Sequence, residues 1–80
     1  MPKAMLDMQM LRLGIIAELD ATNLYEQMAA LTTDRKMKAC FMDIAKEEKT
    51  HVGEFLALLL MKDKEQVREL EKGKEEIDEM

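Results

Sequence analysis

The chain is poor in everything that interrupts a helix. Its 80 residues include one proline and three glycines. The proline is Pro2, near the start, where a fixed φ and a missing N–H are tolerated. Runs of β-branched residues, the mark of strands, are absent. A sheet is therefore excluded as the organising element, and the dominant residues (Leu, Ala, Met, Glu and Lys) favour helix.

Other shortages narrow the function. Cys40 is the single cysteine, so no disulfide forms within one chain, and a lone thiol suits a reducing cytoplasm better than a secreted scaffold. In its helical, mostly apolar context Cys40 reads as a small buried hydrophobe, with a reactive thiol as the alternative. The longest apolar run, Phe55 to Met61, has 7 residues, too few to span a bilayer. No basic segment followed by an apolar run and a cleavage site is visible, so no signal peptide is expected. Basic residues are outnumbered, 12 against 17 acidic, for a net charge of −5. Nucleic acid and anionic membrane surfaces both want a basic patch and are excluded as expected partners; cations are attracted.

A chain of this length makes one domain with a small core, and such cores are commonly completed by a metal or an oligomer. The nine methionines read as flexible packing residues at a helix interface rather than as thioether ligands of a soft metal.

The pattern predicts a first helix from Ala4 to about Leu31, with Met8, Leu11, Ile15, Glu18, Thr22, Tyr25 and Ala29 on one face. Gly14 inside it marks a close approach to another helix. Leu31 to Lys36 is a break, because Thr32, Thr33 and Asp34 are all good N-caps. A second helix of similar length runs from about Asp34 to Met61, so the two pack as an antiparallel hairpin. At Lys62-Asp63-Lys64 a second break follows, and Asp63 with Gln66 resembles a capping box. A third, highly charged helix carries a thin apolar face of Val67, Leu70 and Ile77, with Gly73 expected to end or kink it. The expected organisation is a hairpin over residues 1–62 and a short helical arm over 63–80, either solvated or docked on a neighbouring subunit.

One stretch conflicts with its own pattern. Met37, Phe41, Ile44, Glu48, His51, Phe55 and Leu58 follow at steps of 4, 3, 4, 3, 4 and 3, so a carboxylate and the only imidazole lie on an apolar helix face. Ionised carboxylates are costly to bury unless paired or bound to metal. Counting from a hairpin centre near Thr33, Glu18 lies 15 residues before and Glu48 15 after. An equal rise on both helices puts them at one level, with His51 one turn beyond.

Three side chains leave most metal sites incomplete, as a hairpin leaves a core. A second copy related by a two-fold axis answers both needs, giving a four-helix bundle around two sets of Glu18, Glu48 and His51. Four carboxylates balance two divalent cations, and carboxylate with imidazole suits iron or manganese, and also zinc. The alternative for the same residues is a buried His51 hydrogen-bonded to Glu18 or Glu48 that only fixes helix register. Tyr25, seven residues after Glu18 on the same face, either hydrogen-bonds a ligand carboxylate or sits at the boundary with its tip in water.

Residues 11 to 71, which include Leu-Arg-Leu-Gly-Ile-Ile-Ala-Glu-Leu-Asp-Ala-Thr-Asn-Leu-Tyr-Glu-Gln-Met and Ala-Lys-Glu-Glu-Lys-Thr-His-Val-Gly-Glu-Phe, resemble the encapsulated ferritins, short ferritin-like proteins related to rubrerythrins. On this resemblance the family's first ligand glutamate falls on Glu18, its Glu-x-x-His on Glu48 and His51, and its metal-side tyrosine on Tyr25. The resemblance implies a ferroxidase that binds two Fe(II) across a homodimer interface and oxidises them with dioxygen. It also implies assembly of dimers into a ring, often a decamer, inside an encapsulin nanocompartment in the cytoplasm. Two positions depart from the pattern. Ala17 replaces an acidic residue that flanks the first ligand in some members, although Asp20 keeps an acid nearby. Glu75 to Met80 does not form the short apolar peptide expected of shell cargo. Two rival readings stand beside this one: a rubrerythrin-like di-metal peroxidase, although no cysteine-rich electron-supply module is present, and a non-catalytic helical dimerisation or metal-binding module.

Overall fold

The structure, a computed structural model, describes residues 1–80. It is all-helical, with α1 at Lys3–Leu31, α2 at Arg35–Lys62 and α3 at Lys64–Asp78. The chain turns between α1 and α2 through Thr32, Thr33 and Asp34 alone. Asp34 caps α2 by accepting from the Met37 N–H at 2.9 Å, and Thr32 Oγ1 accepts from the Asp34 N–H at 3.1 Å. These side chains do the work of a glycine turn, which explains a sharp reversal without one.

The facing surfaces of α1 and α2 are held close by small residues. Ala29, Ala45, Leu59 and Thr22 are the only residues buried in the single chain. Thr22 satisfies its hydroxyl by donating to the Glu18 carbonyl at 2.8 Å, as a buried polar group must. The predicted α1 face is the covered one, from half-buried Met8 to buried Ala29. On α2 the expectation needs correction at the two ends of the stripe. Met37 and Leu58 are exposed, and Ala45 and Leu59 take the position against α1. The small Ala45 lets the backbones approach, and Phe41, Ile44, Glu48, His51 and Phe55 stay half-buried along the contact.

Gly14 does mark a close approach: a Cβ there would stand 3.1 Å from Cδ2 of Phe55. Cys40 is exposed, not a buried hydrophobe, because it points away from α1. Seven of the nine methionines are likewise exposed, Met8 and Met28 being half-buried. They pack no interface within one chain.

Asp63 joins the hairpin to α3. Its carboxylate accepts from the Gln66 N–H at 3.0 Å, capping α3, and from the Arg12 guanidinium of α1 at 2.7 Å. The Gln66 N–H and then Arg12 hold its carboxyl below the usual aspartate range. Gly73 neither ends nor kinks α3, which continues to Asp78. Gly73 has no positive φ, and the Lys74–Asp78 pair at 2.7 Å supports the turn that follows. None of the residues of α3 is buried.

The molecule measures 46 × 37 × 16 Å. Stable domains bury their apolar faces against another layer, and this chain alone buries only 4 of its 80 residues. Sixteen large hydrophobic residues are left exposed, far more than the three apolar residues it buries, so the fold is open on its faces.

Candidate metal centre

Glu18 lies on α1, one turn before Thr22 and one turn after Gly14. Both of those neighbours lie at the contact with α2, so the Glu18 backbone is fixed by packing on either side. Glu48 and His51 lie one turn apart on α2, with Glu48 one turn after the buried Ala45. The hairpin register brings the three together, and one donor atom from each lies within 4.8 Å of the others. His51 Nδ1 is 3.3 Å from Glu18 Oε2 and 3.7 Å from Glu48 Oε2. The level expected from counting residues about Thr33 is the level observed.

The electrostatics of the trio are unbalanced. The Glu18 and Glu48 side chains are only 18% and 17% exposed. No lysine or arginine pairs with either; lysine at this level goes elsewhere, Lys49 reaching Glu26 at 3.5 Å on exposed surface. Two largely covered carboxylates facing one imidazole are short of positive charge, which a divalent cation would supply. Two carboxylates and an imidazole form a donor set for iron, manganese or zinc. Cys40 is not in the cluster, so no thiolate biases the set toward a softer ion.

Tyr25 is half-buried. Its ring stacks on Phe41 with centroids 6.3 Å apart and planes 29° apart. Its hydroxyl makes no hydrogen bond to Glu18 or Glu48 within the chain, so a role at the site must come through contacts beyond this pair of helices. Glu47, next to Glu48, is exposed.

Two residues not singled out as functional in the sequence line the site. Glu54 and Phe55 form, with Glu18 and His51, a groove of about 280 Å³. Phe55 also lines a second, apolar groove of about 360 Å³ with Asp7, Met10, Leu11, Gly14, Leu58 and Lys62. One phenyl ring is thus shared between the site and an apolar surface along the same face of the hairpin. The sequence signal for this ring was Gly14; its partner was not readable without the helix register.

Comparison with known proteins places these features in a family. The rubrerythrin family model matches residues 9–79. A ferritin-like-encapsulin shell fusion protein from Pyrococcus furiosus is 59% identical over 73 residues, which cover 91% of this chain and 21% of that protein. The chain thus spans about a fifth of that relative's length. The crystal structure of an encapsulated ferritin domain from Pyrococcus furiosus superposes with a TM-score of 0.94 at 56% identity, covering 100% of this chain and 81% of that one. The all-helical expectation and the resemblance drawn from residues 11 to 71 are both borne out. The chain belongs to the rubrerythrin family of ferritin-like, iron-binding proteins and has the fold of an encapsulated ferritin domain.

Proposed function

We propose that two copies of this chain pair through the face carrying Glu18, Glu48 and His51, and that the enclosed site is a ferroxidase oxidising Fe(II) with dioxygen. The observation that carries this reading is the half-built centre: two largely covered carboxylates and an imidazole, their donors within 4.8 Å, with no basic side chain to neutralise them. The exposed hydrophobic surface and the apolar groove beside the site supply the reason for a second copy, which completes a four-helix bundle. Two copies bring four carboxylates, matching two divalent cations.

In this reading Fe(II) is the substrate, and its electrons reduce dioxygen. Glu18 and Glu48 hold the cation and offset its charge. His51 supplies the nitrogen donor and is kept in place by the Glu18 contact. Phe55 closes the groove side and keeps water from it. Glu54, exposed at the mouth, offers an acidic surface to incoming cations. Tyr25 is the tyrosine beside the metals, reaching the carboxylate shell once the second copy is in place. Manganese or zinc suits the same donors and would occupy the site without the iron reaction.

A single bundle has no storage cavity, so the oxidised iron must be kept elsewhere. An encapsulin nanocompartment fits that need, and the ferritin-like-encapsulin shell fusion protein of Pyrococcus furiosus supports it. The assembly would be a ring of dimers, such as a decamer, within the shell in the cytoplasm.

The 3.3 Å contact between His51 and Glu18 also suits a purely register-fixing histidine. Iron separates the two readings. Wild-type protein given Fe(II) in air should develop ferric absorbance faster than buffer and retain one iron per chain. Glu48→Ala and His51→Ala should not. Equal rates in wild type and both variants would reject the ferroxidase.

A further inference from the structure

Gly14 is an unfavourable residue for its place. It lies in the middle of a 29-residue helix, has no positive φ, and helix interiors prefer alanine over glycine. Only space explains it. A Cβ at this position would lie 3.1 Å from Cδ2 and 3.2 Å from Cε2 of Phe55. The phenyl ring is therefore seated directly on the bare backbone of α1.

That seat is one turn from the metal centre on both helices. Glu18 follows Gly14 by four residues, and His51 precedes Phe55 by four. Gly14 with Phe55 and Glu18 with His51 are successive rungs between the same two antiparallel helices. The ring lines the site together with Glu18 and His51, and it lines the apolar groove on its other side.

We infer that Gly14 and Phe55 form a positioning pair that sets the Glu18–His51 spacing of the metal centre. The inference rests on the proposed paired site. In a single chain the ring can yield into the open groove. In the paired assembly the second copy fills that groove, so any atom added at Gly14 drives the ring toward His51 or spreads the helices at that rung. Neither residue touches the cation; both act through the two ligands. Side-chain volume is the controlled quantity: an alanine at 14 overfills the rung, a leucine at 55 underfills it, and the two together restore it.

The test uses Co(II) as a redox-silent probe, whose visible spectrum reports ligand geometry, with thermal melting of the metal-free chain as the control. Gly14→Ala should melt no lower than wild type, since its helix propensity improves. It should nevertheless bind Co(II) about tenfold more weakly, the loss typical of residues that orient metal ligands, and with an altered spectrum. Phe55→Leu, which adds no atom at the rung, should also alter the spectrum and weaken binding. Gly14→Ala/Phe55→Leu should recover both affinity and spectrum. Wild-type binding and spectrum in Gly14→Ala or in Phe55→Leu would overturn the inference while leaving the metal site intact. So would a double variant no better than the worse single one. If wild type itself bound no Co(II), the metal centre and the positioning pair would fall together.

Discussion

Nδ1 of His51 lies 3.3 Å from Oε2 of Glu18, a contact that joins α2 to α1 across 33 residues of sequence. The imidazole is 44% exposed and the carboxylate 18%, so the pair contributes little to stability by itself, about 0–1 kcal/mol. Its value lies in placing a nitrogen donor and a carboxylate at one point. His51→Ala should therefore leave the melting temperature of the metal-free chain within a few degrees while abolishing tight iron binding. Calorimetric titration with Fe(II) under nitrogen checks the second half, and circular dichroism the first. A histidine that only fixed register would reverse the two results.

Tyr25 offers a separable test. Its ring stacks on Phe41, so Tyr25→Phe keeps the packing and removes only the hydroxyl. Stability should not change. If the hydroxyl reaches the metal ligands in the paired assembly, iron oxidation should slow about tenfold. An unchanged rate would leave Tyr25 as a packing residue.

The arm responds to acid through Asp63. Its carboxyl titrates below the ordinary value of 3.8 in the folded chain. A carboxylate with a depressed folded pKa stabilises the fold above its unfolded pKa, and that contribution is lost as pH falls through the folded value. The attachment of α3 should hold at neutral pH and weaken below about pH 4. Asp63→Ala removes both the cap and the Arg12 contact, so helicity should fall already at neutral pH and its further loss in acid should be smaller. Circular dichroism against pH, for both proteins, measures this.

Helix spacing near the ligands can be altered directly. Ala45 is 1% exposed and lies one turn before Glu48. Ala45→Leu overfills the contact and should cost about 1–3 kcal/mol, read as a lower urea midpoint. Iron binding should weaken as well, because Glu48 is carried on the displaced turn.

Much of this architecture could be read from residues alone because it depends on local chemistry. Asp34 and Asp63 announce their helix starts as capping residues, and both cap as read. The common level of Glu18 and Glu48 follows from a constant rise per residue once the turn is placed at Thr33. What could not be read depends on which of two adjacent faces wins. On α2, the row through Ala45 and Leu59 is as regular as the stripe through Met37, Phe41 and Leu58. The contact centres on Ala45 and Leu59, and of the stripe only its ends, Met37 and Leu58, are left exposed. Cys40 lies five residues before Ala45, about 140° round the helix from it, and is exposed. Gly73 misled because glycine ends a helix only where a left-handed residue is required, and α3 requires none there. The partner of Gly14 stayed hidden because the contact with Phe55 depends on interhelical register in three dimensions.

Metal and assembly should be linked. Ligands that come from both copies make the cation a bridge, and a cation that binds only the paired form stabilises it by mass action, about 2.7 kcal/mol at a hundredfold excess over its Kd. Sedimentation with chelator and with Fe(II) under nitrogen should show a shift toward larger species on loading. Indifference of mass to metal would place each site within one chain.

The most direct measurement is anomalous diffraction from crystals soaked in Fe(II) or grown with Mn(II). The account predicts metal peaks between Glu18, Glu48 and His51 of one copy and the same residues of a second copy across a two-fold axis. A peak ligated by one chain alone, or no peak beside these residues in metal-loaded crystals, would contradict it.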